Sequence, residues 1–354
     1  MKIVIIVSSR NMQYGGGMNR VIFNALPALN DTFDEVIIVS GKSIFELFRG
    51  LFKIAISNPF KIDYFIFNSL SSIRISHNKY WYIYSSISKL LNIKKAIYWH
   101  EMPEYFKNFS LNPIYKKDVL LINKHLKNKN YLHLAVSKAS SKMAYFFNKK
   151  PNLGIVYNAI IERSENALLY NKFTIVTVGS IQNIKGTDIW TDVAIEVCKK
   201  NANAQFVWCG GIHDKHLYQD CLLKIVKNNF SKRIIFLGHT EDASIVTSAS
   251  HLYFSSSRLD SFPLSVIEAM SVGRNIIYYD SGGIKEAVEN NGYFIDDFDV
   301  DATANVILTK INKFETNNYE VFNSEIYERF KNNFTAENFV EKLKKELQNF
   351  KSQN

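Results

Sequence analysis

No stretch of this 354-residue chain runs to about 18 uncharged apolar residues, so no membrane-spanning helix is expected. The apolar opening, residues 1–10, is too short for a signal peptide, carries no cleavage site and leads into a Gly-rich turn. It suits a buried first strand. Cysteine is scarce, with only Cys198, Cys209 and Cys221 present. Their odd number and the absence of any C-x-x-C argue against a disulfide framework and leave reduced thiols of a cytosolic protein as the expectation. No segment repeats at a period of about 20–50 residues, and no low-complexity tract interrupts the chain. Acidic residues are few in one half only. Residues 1–150 hold 22 Lys+Arg against 8 Asp+Glu, and the remainder holds 21 against 25, within a formal net charge of +10. That asymmetry suits an anionic partner for the first half: nucleic acid, lipid headgroups or a phosphorylated glycan. A solvated Lys-rich surface satisfies the same counts. No nucleic-acid-binding module is recognisable, so nucleic acid is not an expected partner.

What is present is a foldable globular composition, 47% hydrophobic and 21% charged, at a length that suits two domains of about 150–200 residues. β-Branched and aromatic runs recur at residues 2–9, 35–41, 64–69, 95–100, 131–137 and 154–158, and again at 173–180, 204–211, 233–239, 251–257, 275–280 and 292–296. They do not alternate with polar residues, as expected of strands covered on both faces. The intervals between them accommodate crossover helices. The reading is α/β: two Rossmann-like, doubly wound parallel sheets, residues 1–160 and 161–323, joined by a polar linker over 161–172. Such sheets bind ligands at the carboxyl ends of their strands, so a cleft between the two units is the expected site. Residues 324–354 are Lys/Glu-rich with Phe339, Leu343 and Leu347 at helical spacing. They read as one amphipathic C-terminal helix, expected to pack back toward the N-terminal domain.

Residues 43–55, SIFELFRGLFKIA, are apolar and aromatic with Arg49 and Lys53 among them. An interfacial helix resting on a membrane and an ordinary core-facing helix both fit that pattern.

The most informative stretch is residues 254–288, FSSSRLDSFPLSVIEAMSVGRNIIYYDSGGIKEAV. A strand ends in small polar residues, Asp260 and Ser261 come next, and Phe262-Pro263 open an apolar helix. Pro263 fits the first helical turn and Gly273 the position after the last. The start of a helix at the carboxyl end of a strand favours an anion such as a diphosphate. Glu268 lies among Val266, Ile267 and Met270, where a carboxylate needs a hydrogen-bonding partner. A ligand hydroxyl or an ordinary protein group can supply it.

This stretch resembles the signature of the group 1 (family 4) retaining glycosyltransferases of GT-B fold: an acid, seven residues, a Glu opening E-A-M, a Gly, a strand and a Gly-Gly turn. The resemblance implies that Asp260 binds hydroxyls of the donor sugar and Glu268 the nucleotide ribose, with the diphosphate or sugar met by the turn Phe262, Pro263, Leu264 and Ser265, whose backbone N–H groups (Pro263 has none) are the donors. Asp260 departs from the family's more frequent Glu. Residues 178–188, VGSIQNIKGTD, are similar to the family's V-G-R-x-x-x-x-K-G, so Lys185 matches the lysine that pairs with the donor diphosphate, while Ser180 stands where an Arg is usual. Tyr14-Gly15-Gly16-Gly17 resembles the family's Gly-Gly loop, with Gly16 and Gly17 facing the donor. A plain turn explains a Gly triplet equally, and Arg20 breaks any G-x-G-x-x-G. His100 and Glu101 come after a strand and resemble the family's His-Asp/Glu beside the transferred sugar. A satisfied structural His is the alternative. Lys138 and Asn158 resemble positions near the interdomain hinge. Gly210 and His239, at the ends of the 204–211 and 233–239 runs, complete the candidates.

The resemblance covers about residues 2–300 and is weakest over 40–130, where an acceptor would bind. It implies transfer with retention from a nucleotide-sugar, a UDP-sugar before GDP-mannose, to a glycan or lipid-linked glycan of bacterial surface polysaccharide or lipopolysaccharide. His100, Asp260 and Lys185 would be the catalytic groups, with no cofactor and no metal. Asp297-Phe298-Asp299 looks like the Asp-x-Asp of another glycosyltransferase fold, but its position after a late strand suits loop capping. His213 and His216 suit a surface loop. The expected location is cytoplasmic, with peripheral contact to an anionic inner membrane face. A non-catalytic nucleotide-sugar binder and a nucleotide-sugar 2-epimerase-like enzyme remain as alternatives.

Overall fold

Runs of Val, Ile, Phe and Tyr form strands most readily where both faces of a sheet are covered, because their stiff, bulky side chains then pack on either side. In a computed structural model that describes residues 1–8, 16–127, 129–162, 167–240 and 243–353, these runs form twelve strands. The chain divides into two units, Met1–Ile161 with Phe334–Asn354, and Glu162–Asn333. Among the described residues no helix is long and apolar enough to cross a membrane.

Unit 1 runs β1 (Lys2–Ile6), α1 (Gly16–Asn24), α2 (Leu26–Thr32), β2 (Glu35–Val39), α3 (Ile44–Ile56), β3 (Tyr64–Asn68), α4 (Trp81–Leu90), β4 (Lys94–Trp99), α5 (Pro103–Leu111), α6 (Lys116–Leu126), β5 (Leu132–Ala135), α7 (Lys138–Phe147) and β6 (Asn152–Ile155). Its strands are all parallel, in the order β2-β1-β3-β4-β5-β6. One core joins Val4, Val39, Phe67 and Trp99 of the sheet to Leu47 and Ile54 of α3, Trp81 and Tyr84 of α4, Phe106 and Phe109 of α5, and Phe147 of α7.

Unit 2 runs β7 (Phe173–Val178), α8 (Thr187–Lys200), β8 (Ala204–Cys209), α9 (Lys215–Lys227), β9 (Ile234–Gly238), α10 (Ala243–Ala249), β10 (Leu252–Ser255), α11 (Leu264–Ser271), β11 (Asn275–Tyr279), α12 (Ile284–Val288), β12 (Tyr293–Ile295), α13 (Val300–Glu315) and α14 (Ser324–Asn333). Its parallel sheet has the order β12-β11-β10-β7-β8-β9. The chain therefore builds outward from β7 in one direction, returns, and builds from β10 in the other. The carboxyl ends of β7 and β10 form the topological switch point, where an open α/β sheet leaves a crevice.

Two expectations need correction. Each predicted strand overruns the real one by one to three residues at its carboxyl end, where the chain leaves the ladder for a loop. The tail is not one helix over 324–354 but two. α14 closes unit 2, and α15 (Ala336–Gln353) belongs to unit 1. The break lies at Phe334-Thr335. There the Ile160 N–H donates to Phe334 O at 3.1 Å, and Thr335 Oγ1 accepts from Asn338 N–H at 3.3 Å to cap α15. Phe339, Val340, Leu343, Leu347 and Phe350 of α15 are buried, Tyr64 Oη donates to Leu347 O at 2.6 Å, and Lys351 pairs with Asp63 at 2.5 Å.

Candidate functional site

At the switch point of unit 2 the chain leaves β7 through Gly179, Ser180 and Gln182, and makes a 3-10 turn over Asn183–Lys185. Gly186 then turns it into α8 with φ +67°, and a Cβ here would lie 1.9 Å from Ser256 O. Only glycine meets both demands, so the lysine-glycine pair brings this loop onto the segment after β10. That approach is fastened by Ser256 Oγ donating to Lys185 O at 2.9 Å and the Arg258 N–H donating to Ile184 O at 2.9 Å. The Arg258 guanidinium donates to both carboxylate oxygens of Asp188, at 2.8 and 2.7 Å, and to Asn183 O at 2.7 Å. Burial pushes the Asp188 carboxyl up, but Arg258 outweighs it and holds that carboxyl below the usual range.

The result is that Lys185 Nζ, from the loop after β7, meets Asp260 Oδ2, from the loop after β10. Their side chains are 26% and 10% exposed, so the pair faces a partly screened space. Asp260 is also held through its backbone: its N–H donates to Ser281 O at 2.7 Å, and the Gly283 N–H donates to Asp260 O at 2.9 Å. A Cβ at Gly283 would stand 1.8 Å from Ser261 O, so the Gly-Gly turn is what allows this approach. The Ser281 hydroxyl is buried without a hydrogen-bond partner.

Beside this pair, α11 begins. Pro263 is its N-cap, one position earlier than expected, and has no side-chain capping bond; Gly273 comes after its end at φ +63°. The first N–H groups of a helix have no partner within it, and their dipoles favour an anion. Under the helix start lies the buried Tyr253 phenol, which burial holds well above its usual pKa. It hydrogen-bonds Ser265 and feels the negative charges of Glu268 and Asp260. Glu268, half-buried in α11, and Asp260 therefore face the same region.

Unit 1 holds a buried polar chain at its own switch point, between β1 and β3. Asn19 Nδ2 donates to Ser8 Oγ at 3.1 Å; Asn68 Nδ2 donates to Met18 O at 3.1 Å and to Asn19 Oδ1 at 3.3 Å; Asn68 Oδ1 lies 3.1 Å from His100 Nε2. With both Asn68 protons committed, this pattern assigns the proton to Nε2 of His100. Burial pulls His100 down to about 3, so it is neutral at physiological pH. Its ring packs edge-on to Tyr98, with centroids 4.4 Å apart. Glu101 accepts from the N–H groups of Leu70 at 3.0 Å and His100 at 3.2 Å, and burial pushes its carboxyl up to about 7 against them.

The remaining candidates are placed more modestly. Gly16 and Gly17 open α1, while Tyr14 and Gly15 of the same loop lie outside the described residues. Lys138 is exposed at the start of α7, and the buried Asn158 lies 3.4 Å from Tyr98 Oη. Ser180 accepts from Gln182 Nε2 at 2.8 Å. Phe262 is buried against the Gly283 turn. Gly210 takes φ +157° because a Cβ would strike Gly179 O at 1.9 Å; His239 is exposed. Asp299 caps α13 through the Ala302 N–H at 2.9 Å, as its position suggested, and His213 and His216 are exposed. Among the described residues no three His, Cys, Asp or Glu side chains gather as metal ligands would. Sequence reasoning missed Asn19, Asn68, Tyr253 and the Arg258–Asp188 clamp. A polar residue ending the apolar run at Asn68 was the available signal for the first network. The clamp joins residues 70 apart and left none.

Residues 172–313, which hold Lys185, Asp260, α11 and the Gly-Gly turn, match the sequence model of the family "Glycosyl transferases group 1". Most of unit 2 is thus similar to the group 1 glycosyltransferases. A stretch of 112 residues is 30% identical to the lipopolysaccharide core biosynthesis mannosyltransferase LpcC of Rhizobium leguminosarum bv. viciae, covering 31% of this chain and 32% of that protein. A stretch of 150 residues is 27% identical to a phosphatidylinositol N-acetylglucosaminyltransferase subunit of Arabidopsis thaliana, covering 42% of this chain and 33% of that protein. The chain thus spans about a third of the length of these curated relatives. Among solved structures, HepE of Anabaena in complex with UDP-glucose superposes with TM-score 0.72 at 16% identity, over 99% of this chain and 100% of that one. Sucrose-phosphate synthase of Thermosynechococcus elongatus superposes with TM-score 0.71 at 14% identity, over the whole of both chains. The architecture of two parallel six-stranded sheets is the GT-B fold.

Proposed function

We propose that this protein is a retaining glycosyltransferase that moves a sugar from a nucleotide-sugar, a UDP-sugar before GDP-mannose, to a glycan acceptor of bacterial surface polysaccharide or lipopolysaccharide. The observation that carries the reading is the meeting of Lys185 and Asp260 at the switch point beside the start of α11, inside the family-matched residues. A nucleoside diphosphate needs a cation and N–H donors; a sugar and a ribose need carboxylates to accept from their hydroxyls. Lys185 and the α11 start suit the first, Asp260 and Glu268 the second. Without donor, Lys185 and Asp260 hold each other in place. With donor, the diphosphate draws Lys185 and leaves Asp260 to the sugar.

In such a transfer the glycosidic C–O bond to the diphosphate breaks as positive charge builds on the sugar ring. The acceptor hydroxyl bonds to the same face of the anomeric carbon, and a leaving-phosphate oxygen takes its proton. This chain's contribution is a preorganised environment for the departing negative charge, and removing one such donor typically costs about 3–4 kcal/mol. Neutral His100 is suited to hydrogen-bond a sugar hydroxyl rather than to carry charge. The complexes of HepE with UDP and UDP-glucose support the UDP preference, and the likeness to LpcC supports a lipopolysaccharide-type acceptor.

The test is thermal stabilisation by UDP, GDP, ADP, CMP, NAD and the common sugar conjugates, for the wild type and Glu268→Ala. At ligand near 100 Kd the expected stabilisation is about 2.7 kcal/mol with one nucleotide family, lost in the variant. No response to any nucleotide would sink the reading, and a response to NAD alone would replace it. With the donor named, the anomeric configuration of the product, read by NMR, decides retention.

A further inference from the structure

α3 is apolar on two opposite sides, and only one of them is used. Leu47, Gly50 and Ile54 are buried against the unit 1 core. A Cβ at Gly50 would lie 2.2 Å from Tyr84 Oη and 3.2 Å from the Val39 Cβ, so the helix is seated closely along that line. Helical geometry places Phe45, Phe48, Phe52 and Ile56 on one strip of the opposite side, with Ile44 next to it. They are 72%, 63%, 66%, 69% and 52% exposed, and Phe60, just beyond the helix, is 83% exposed. An apolar strip about 16 Å long from Phe45 to Ile56, with three aromatic side chains in it, is not the solvated face of a core helix.

The charges around the row indicate its occupant. Residues 42–61 carry Lys42, Arg49, Lys53 and Lys61 against a single acid, Glu46. That acid is turned inward, accepting from Ser40 Oγ at 2.8 Å. The wider half of the chain is strongly basic. A second copy of this chain would bring cation against cation. An anionic lipid surface offers hydrocarbon for the aromatic row and phosphate for the flanking cations. We propose that the outer face of α3 seats this protein on an anionic membrane surface, with the helix lying in the interface and the Phe45–Phe48–Phe52 row inserted. The proposal does not depend on the transferase reading.

The test is flotation of the full chain with phosphatidylcholine vesicles, with and without phosphatidylglycerol, alongside a Phe45→Ser/Phe48→Ser/Phe52→Ser variant and a Lys42→Glu/Arg49→Glu variant. Because the substituted side chains face solvent, unchanged melting confirms that each variant is folded. The expected result is binding to the anionic vesicles, weakened by raised salt and by the charge reversals, and lowered at least about tenfold in the triple variant. Absence of wild-type binding at low salt overturns the proposal, as does undiminished binding of the triple variant. A dimer that the triple variant dissolves, with no vesicle binding, would make the face a contact between copies. Nucleotide stabilisation measured on the same samples separates failure here from failure of the donor site.

Discussion

Lys185 and Asp260 come from loops 75 residues apart and meet because the glycine between Lys185 and α8 has no side chain. Two substitutions separate the chemistry from the scaffold. Lys185→Met keeps the stem and removes the cation, so turnover of the nucleotide-sugar should fall about 100- to 1,000-fold while melting changes little. Gly186→Ala keeps the cation but drives a methyl into Ser256 O at a left-handed φ. It should destabilise the domain by about 1–3 kcal/mol in denaturant titrations and weaken nucleotide binding as the loop moves. Intact stability in Gly186→Ala would mean that the loop is not seated as described. Asp260 and Glu268 were legible as candidates because they sit in one long, position-specific stretch, and Lys185 because it sits in a second, shorter one over residues 178–188. Asn19 and Asn68 were not, because each is a lone polar residue whose partner only the fold brings near. Arg258 is not free to serve as a second cation beside Ser180, since its guanidinium is committed to Asp188.

At the scale of elements, all twelve strands could be read in advance, since covered parallel strands are written as unbroken apolar runs. Their carboxyl ends could not, because the residues that leave the ladder there are often as apolar as those within it. The split between α14 and α15 was also missed. Lys and Glu continue through it, and the one signal, Thr335 placed to cap the next helix, is short and common. α15 is part of the unit 1 core rather than an appendage: Leu347 is fully buried and its carbonyl receives the Tyr64 hydroxyl. Leu347→Ala should cost about 2–5 kcal/mol in unfolding free energy, and a loss near zero would contradict that packing.

Across the whole molecule, acid works against this fold through its buried histidines. Burial holds His100 and His125 near 3 and His133 and His251 near 4, against 6.5 for a free side chain. Below that free value the unfolded chain takes up protons that the folded one refuses, so stability falls as the pH drops from 6.5 toward 4. Glu101 runs the other way. Its folded carboxyl keeps a proton up to about 7 where the unfolded one releases it near 4.5, and it offsets about one histidine. The net expectation is a melting temperature that declines between about pH 7 and about pH 5, before ordinary carboxylates titrate. A flat profile over that range would mean that these histidines are not held neutral.

The chain leaves unit 1 after Ile161 and re-enters it at Phe334, and at that place Ile160 and Thr335 are bridged neighbours. Unit 2 is thus an insertion in the sequence of unit 1, a cassette entered and left by two crossings of backbone whose unit 1 ends, at Ile160 and Thr335, are side by side. Nothing in the β7–β12 sheet is borrowed from unit 1, and only a short graft is needed to rejoin residue 161 to 334. Residues 167–333 expressed alone should therefore melt cooperatively and respond to the same nucleotide as the full chain. By the same token, exchanging that cassette between relatives would alter what the protein draws on as donor and leave the core of unit 1 unrewritten.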